Sequence, residues 1–369
     1  MTLFSSFSSY SANFQTIAGL YFHTTQTFYF ENTIFECFEP SLMAKEIKKI
    51  GVLTSGGDAP GMNAAVRAVV RASIYYGIEV YGIYRGYDGL INDKMEELHV
   101  RSVSNILSRG GTFLLSARSE AFRTKEGRAK AYENFKAREL DALVVIGGDG
   151  SFTGADIFSQ EYDVPVIGIP GTIDNDLAGT DYTIGFDTAC NTAREAIDKI
   201  RDTASSHDRL FFIEVMGRDA GFIAVNSAIG GGAVAMIVPE HNWSIDQLIK
   251  RLRKGAANQK ASNVVIIAEG CKLGNAYDVA AKVKEQLDYF DIRVTVLGHL
   301  QRGGSPTTMD RVLASRLGVA AVEGLRDGQS KVMVGVINNR ITYTPIGEAI
   351  KTVKRLDDDE FRIAKILSI

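Results

Sequence analysis

Lysine and arginine are missing from the first 44 residues of this chain, and cysteine and tryptophan are scarce throughout. A secretory signal needs a basic start ahead of an unbroken apolar core, and a transit peptide needs arginine. The opening segment is rich in Phe, Tyr, Ser and Thr and has neither feature. Met43 then opens MAKEIKKIGVLTS, a charged start running into an apolar strand. The functional chain is therefore expected to begin at or near Met43. Residues 1–46 would be an N-terminal extension, either a disordered tail or a start-site artefact. The three cysteines, Cys37, Cys190 and Cys271, lie far apart and form no CxxC. That pattern excludes a disulfide framework and a zinc site, and makes a cytoplasmic location the default. No run is long and apolar enough to span a bilayer. A net charge of −3 implies neither a nucleic-acid nor a membrane-surface partner.

What is present is a repeated pattern of apolar run, glycine-rich turn and amphipathic stretch. Strand candidates are 49–54, 80–85, 142–148, 164–170, 210–217, 233–239, 263–270 and 293–299. They are short, β-branched and apolar without alternation, as in parallel strands buried on both faces. Helix candidates lie at 64–77, 127–138, 188–205, 244–257, 276–290 and 309–328. Ser244 and Gln247 have capping-box spacing at the start of one of them. Alternating β and α elements predict an α/β fold with mainly parallel sheets. Eight strands are many for one open sheet with a single core, so two three-layer αβα domains with a cleft between them are expected.

Ligands of such sheets bind at the carboxyl ends of strands, and this chain places its unusual residues there. The first strand enters TSGGDAPGMN (54–63), a glycine turn ahead of a helix and so a potential anion site. It is neither GxGxxG nor GxxxxGK[ST]. Another strand enters IGGDGS (146–151), where Asp149 and the Ser151 hydroxyl could hold Mg²⁺ on phosphate oxygens. The bland alternative for Asp149 is a helix cap. The run VPVIGI leads into PGTIDND, with Asp174 and Asp176 flanking Asn175. Later strands end on EVMGRDAG with Arg218, on IIAEGCK with Glu269, and on LGHLQRGGSP with His299 and Arg302. Arg118 and Arg123, in SRGGTFLLSARSEAFR, could pair phosphates bidentately or form a solvated loop. No Ser–His–Asp spacing or Cys nucleophile pattern competes. The combination is that of a phosphoryl-transfer site: glycine cradles, a metal carboxylate, arginines for developing charge and a carboxylate to accept a hydroxyl proton.

In order and spacing, GVLTSGGDAPGMNAAVR, VVIGGDGS, PGTIDND, EVMGR and GHLQRGGSP resemble the ATP-dependent 6-phosphofructokinase family of the bacterial type, over residues 47–369. The resemblance implies the phosphofructokinase fold with its active site in the interdomain cleft. A larger ATP-binding domain would comprise 47–185 plus 301–351, and a smaller sugar-phosphate-binding domain 186–300 plus 352–369. It implies transfer of the ATP γ-phosphoryl group to the 1-hydroxyl of fructose 6-phosphate with Mg²⁺, by a cytoplasmic homotetramer. Asp174 would be the general base. Thr172, Arg218 and Gly57 would lie at the transferring phosphoryl, and Arg118 near the ATP phosphates. Asp149 would hold the metal. Gly148, Gly150, Ser151, Tyr87, Ser119, Arg123 and Gly154 would complete the nucleotide side. Ile173, Met216, Gly217, Glu269, His299 and Arg302 match the sugar-phosphate site. Arg209 and Arg293 match arginines that reach a neighbouring subunit's site.

Pyrophosphate-dependent relatives typically carry Asp where Gly150 stands and Lys where Gly171 stands, so ATP is the expected donor. Arg67, Arg71, Arg201 and Lys260 match part of the family's regulatory site. Val100, Val234, Asn105 and Asn258 replace its polar or charged residues, which implies weak or altered allostery. Two alternatives remain: a kinase for another sugar phosphate, and a non-catalytic sugar-phosphate-sensing subunit.

Overall fold

A computed structural model describes residues 46–204, 209–257 and 263–367. The strands are β1 (Lys49–Thr54), β2 (Glu79–Ile83), β3 (Met95–Glu97), β4 (Ala142–Gly147), β5 (Val166–Pro170), β6 (Arg209–Val215), β7 (Ala235–Ile237), β8 (Asn263–Ala268), β9 (Asp291–Val296), β10 (Val332–Ile337) and β11 (Arg340–Pro345). The helices are α1 (Met62–Tyr75), α2 (Gly86–Ile91), α3 (Lys125–Ala137), α4 (Asp149–Tyr162), α5 (Phe186–Ala204), α6 (Phe222–Gly231), α7 (Ile245–Ala257), α8 (Ala276–Lys284), α9 (Thr308–Arg326), α10 (Ile346–Lys351) and α11 (Asp358–Leu367).

Two sheets form. One has seven strands in the order β11-β10-β5-β4-β1-β2-β3, and the other four in the order β7-β8-β6-β9. Its pairings make the small sheet wholly parallel. The large sheet is parallel except at its two edges, where β3 and β11 run antiparallel to their neighbours. All eight expected strands exist. The three that were not expected are both of these antiparallel edges and β10. Edge strands need no uniformly apolar sequence, because one side meets water: β11 reads RITYTP and is only partly buried.

The buried side chains account for the two faces. Ile50, Val52, Val144, Ile146, Ile167 and Ile169 pack against α1 and α9 on one side of the large sheet. Leu53, Leu143, Val145 and Val166 pack on the other side, with Phe152 and Phe158 of α4. These strands are buried on both faces, which is why their sequence does not alternate.

Local signals hold in several places. Ser244 and Gln247 close a reciprocal capping box, with Gln247 N–H donating to Ser244 Oγ at 3.2 Å and Ser244 N–H to Gln247 Oε1 at 3.0 Å. The helix expected over 276–290 is shorter, ending at Lys284. Leu287 and Phe290 turn inward to the core instead, because the chain must reverse before β9 starts at Asp291.

Candidate active site

Strand order locates the site. In the large sheet β1 lies between β2 and β4, so the connections leave β1 in opposite directions and open a crevice at the carboxyl ends of β1 and β4. In the small sheet the same reversal falls at β6, between β8 and β9. The expected residues follow these ends. Contacts join the two sets: Arg218 Nη1 donates to Asp149 Oδ1 at 2.9 Å, and Arg302 Nη1 to the Asp58 carbonyl at 3.2 Å.

The two glycine turns of the large sheet are built around Ser151. A Cβ on Gly147 would lie 2.5 Å from Ser151 Oγ, and one on Gly56 3.2 Å from it. Gly57 faces the other way, where a Cβ would come within 2.6 Å of Arg302 Nη1. Glycine is therefore what lets an arginine from the far sheet approach this turn. Gly148 is the N-cap of α4 and Asp149 its first helical residue, so Asp149 is not the N-cap; its carboxylate pairs with Arg218. Gly154 lies over the ring of Tyr87, where a Cβ would be 3.1 Å from the ring edge. Tyr87 is buried, stacks on Phe122 with centroids 4.0 Å apart and donates its hydroxyl to the Ser151 carbonyl. It thus supports the turn from below. Arg118 is exposed, Ser119 Oγ accepts from Phe122 N–H at 3.3 Å, and exposed Arg123 pairs with Glu120 at 3.5 Å.

The segment after β5 is buried: Thr172, Ile173, Asp174 and Asn175 are all 8% exposed or less. Thr172 Oγ1 accepts the Asp174 N–H at 3.2 Å, and Thr183 Oγ1 donates to the Thr172 carbonyl at 2.6 Å. Asn175 takes the left-handed conformation, φ +53°, which asparagine tolerates better than most residues. Asp174 Oδ1 is buried with no hydrogen-bond partner. A buried, unpaired carboxylate oxygen is costly and marks a place for a donor such as a substrate hydroxyl.

Burial pushes the Asp174 pKa up, with Arg302 and then Thr172 and Arg218 pulling the other way. Asp176 is pushed up to about 6, first by burial and then by the charges of Asp174 and Asp149.

On the small sheet, Arg218 has φ +54° and sits in a turn that needs its glycines. A Cβ on Gly217 would lie 2.4 Å from the Ala220 carbonyl, and one on Gly270 2.2 Å from the Arg218 carbonyl. Arg218 N–H donates to Glu269 Oε2 at 3.3 Å, so the ends of β6 and β8 are tied. Met216 is partly buried beside the turn, and His299 is exposed in the short helical turn Gly298–Arg302.

Arg209 and Arg293 do not join this group. Both bond Asp291, at 2.9 and 3.0 Å. Arg209 begins β6 whereas Arg218 follows its end, so they are separated by roughly 20 Å, seven residues of strand. Of the regulatory positions, Arg67 and Arg71 lie one turn apart on α1. Burial lowers the Arg67 pKa, and the charge of Arg71 adds to the effect. Arg201 has Nε and Nη2 buried without partners, beside Gly232. Val234 is in the core and Val100 and Asn105 are exposed. Lys260 and Asn258 lie outside the described residues. Sequence reading passed over Asn175 itself; an asparagine between two site carboxylates just past a strand was the available signal.

Glycine turns, facing arginines and a buried carboxylate at the strand ends of an α/β fold define a phosphotransferase. The family model described as "PFK: Phosphofructokinase" matches residues 49–325, and the chain belongs to the phosphofructokinase family. It is 56% identical over 323 residues to "ATP-dependent 6-phosphofructokinase 2" of Bacteroides thetaiotaomicron, covering 88% of this chain and 99% of that protein. It is 54% identical over 323 residues to "ATP-dependent 6-phosphofructokinase 1" of Thermus thermophilus, covering 88% and 100%. Among solved structures, phosphofructokinase from Saccharomyces cerevisiae superposes with a TM-score of 0.79 at 37% identity, over 87% of this chain and 48% of that one. A pyrophosphate-dependent phosphofructokinase from Marinobacter aquaeolei shares the fold, with a TM-score of 0.75 at 24% identity over 88% and 92%.

Proposed function

We propose that this chain transfers the γ-phosphoryl group of ATP to the 1-hydroxyl of fructose 6-phosphate. The observation that carries the reading is Asp174, a buried carboxylate with an unpaired oxygen at a strand end, flanked by Arg302 and Arg218. Asp174 accepts the proton of the attacking hydroxyl, and the Thr172 hydroxyl braces the loop that presents it. Arg218 and the Gly57 turn stabilise the charge of the transferring group, and Arg118 serves the nucleotide phosphates.

Asp149 holds Mg²⁺. No cluster of three or more acidic, His or Cys side chains that could bind a metal occurs among the described residues. A single carboxylate suits Mg²⁺ that arrives on nucleotide phosphates, where the ion neutralises phosphate charge. The Asp149–Arg218 pair must part for both to meet their ligands.

Glu269, His299 and Arg302 take the sugar phosphate. The proposed domains are 47–185 plus 301–351 and 186–300 plus 352–369. This division is supported by β1–β5, β10 and β11 falling in the first set and β6–β9 in the second. Arg209 and Arg293 serve the site of a neighbouring copy in a homotetramer, which accords with their distance from this chain's own strand ends.

The test is a coupled assay of the purified chain with Mg²⁺, fructose 6-phosphate and either ATP or pyrophosphate. ATP should support turnover at least about tenfold faster, the least that a differently shaped phosphate pocket should yield. A Cβ on Gly150 would meet open space, which leaves room for the larger donor, while a Cβ on Gly171 would lie 3.1 Å from the side chains of Ile146 and Met62. Equal rates with pyrophosphate would reject the donor assignment, and turnover of another sugar phosphate alone would reject the acceptor.

A further inference from the structure

Asn175 separates the two carboxylates of the candidate active site, and both ends of its amide are hydrogen-bonded. Its Oδ1 accepts from Thr183 N–H at 2.9 Å, and its Nδ2 donates to the Asp181 carbonyl at 3.3 Å. A third group completes this arrangement from a distant part of the chain. Lys354, in the connection between α10 and α11, donates from Nζ to Asn175 Oδ1 at 2.9 Å and to the Asp181 carbonyl at 2.8 Å. The same ammonium lies 5.3 Å from the centroid of the Phe222 ring. Phe222 begins α6, four residues after Arg218.

We propose that Lys354 is a positioning residue for phosphoryl transfer: it holds Asn175 in its left-handed conformation and ties the Asp174 loop to the helix that follows Arg218. The inference rests on the function proposed above. Lys354 touches no reacting group. It acts through Asn175, whose backbone sets the direction in which Asp174 and Asp176 leave the strand. It also acts through Phe222, which carries the Arg218 turn of the other sheet. A shift of about 1 Å in a catalytic group is enough to cost on the order of a hundredfold in rate.

The surroundings give the residue a pH signature. Burial lowers the Lys354 pKa to about 8, while Asp181, Asp176 and Glu360 of α11 oppose the fall. The ring of Phe222 also faces the ammonium. The clamp is intact while the ammonium is charged and loosens as pH rises through that value.

The experiment compares the full-length parent with Lys354→Met and Lys354→Arg, after circular dichroism has checked folding. The expected result for Lys354→Met is a kcat lower by about ten- to a hundredfold, with KM for ATP and fructose 6-phosphate changed less than about threefold. The parent kcat should fall on the alkaline side near pH 8. Lys354→Arg should recover much of the rate and move that fall upward, because arginine stays charged. A folded Lys354→Met with kcat within about twofold of the parent would overturn the inference while leaving the proposed function standing. If Lys354→Met does not fold, an alkaline limb unmoved in Lys354→Arg would overturn it instead. No turnover by the parent under any condition would reject the proposed function, and this inference with it.

Discussion

Asp174 and Asp176 show how one short stretch separates two carboxylates that chemistry makes identical. The sequence placed both at a strand end, and the strand end is where they are. It could not tell that burial rather than cations dominates their titration. The number of atoms packed over a side chain depends on segments distant in the chain. The proposed base role needs Asp174 ionised, so activity should fall as pH is lowered. The acid limb should lie above the ordinary carboxylate range, since burial raises Asp174 and Asp176 is pushed up to about 6. The two carboxyls interact, so the limb belongs to the pair. Asp174→Ala should reduce kcat by at least about a hundredfold, the lower end for general-base catalysis, and abolish that limb, with little change in fructose 6-phosphate binding. A pH–rate profile of parent and variant checks both statements.

Among elements, eight parallel strands were readable from their short apolar runs, whereas β10, equally apolar as VMVGVI and parallel to β5, was passed over. The edges β3 and β11 were not readable, because half-exposed strands resemble loops in composition. Helix packing was equally hidden. Gly318 lies inside α9 with no turn to justify it, and only the fold explains it: a Cβ there would lie 2.5 Å from Ala68 Cβ and 3.0 Å from the Ala65 carbonyl of α1. Close approach of α1 and α9 also holds the glycine turn that opens α1. Gly318→Val should therefore destabilise the protein by about 1–3 kcal/mol, the range for overpacking a core. Chemical denaturation monitored by circular dichroism measures it. A second buried tie is Asp310 of α9, which accepts from Gly185 N–H and Thr188 N–H at 2.8 Å each and so anchors the start of α5.

At the scale of the whole molecule, the strand-end rule gathers residues from 54 to 302 into one crevice, but it leaves Arg209 and Arg293 behind at the opposite end of the small sheet. If they serve a neighbouring copy, Arg209→Ala should raise KM for fructose 6-phosphate several-fold, to roughly ten times the parent value. The kcat should fall less, because the lost contact is remote from the reacting atoms. Steady-state kinetics beside sedimentation of parent and variant tests this. No helix among the described residues is long and apolar enough to cross a membrane. By itself the sequence determined the α/β class, most of the parallel strands and which glycines and charged residues stand at the strand ends, because buried strands, glycine turns and charged strand ends are local signals. Only the tertiary structure decided that Asp149 pairs with Arg218, that Tyr87 bonds the Ser151 carbonyl, and that Lys354 reaches Asn175. Each of these depends on a contact between segments dozens to hundreds of residues apart, and packing of that kind leaves no periodicity in a single chain.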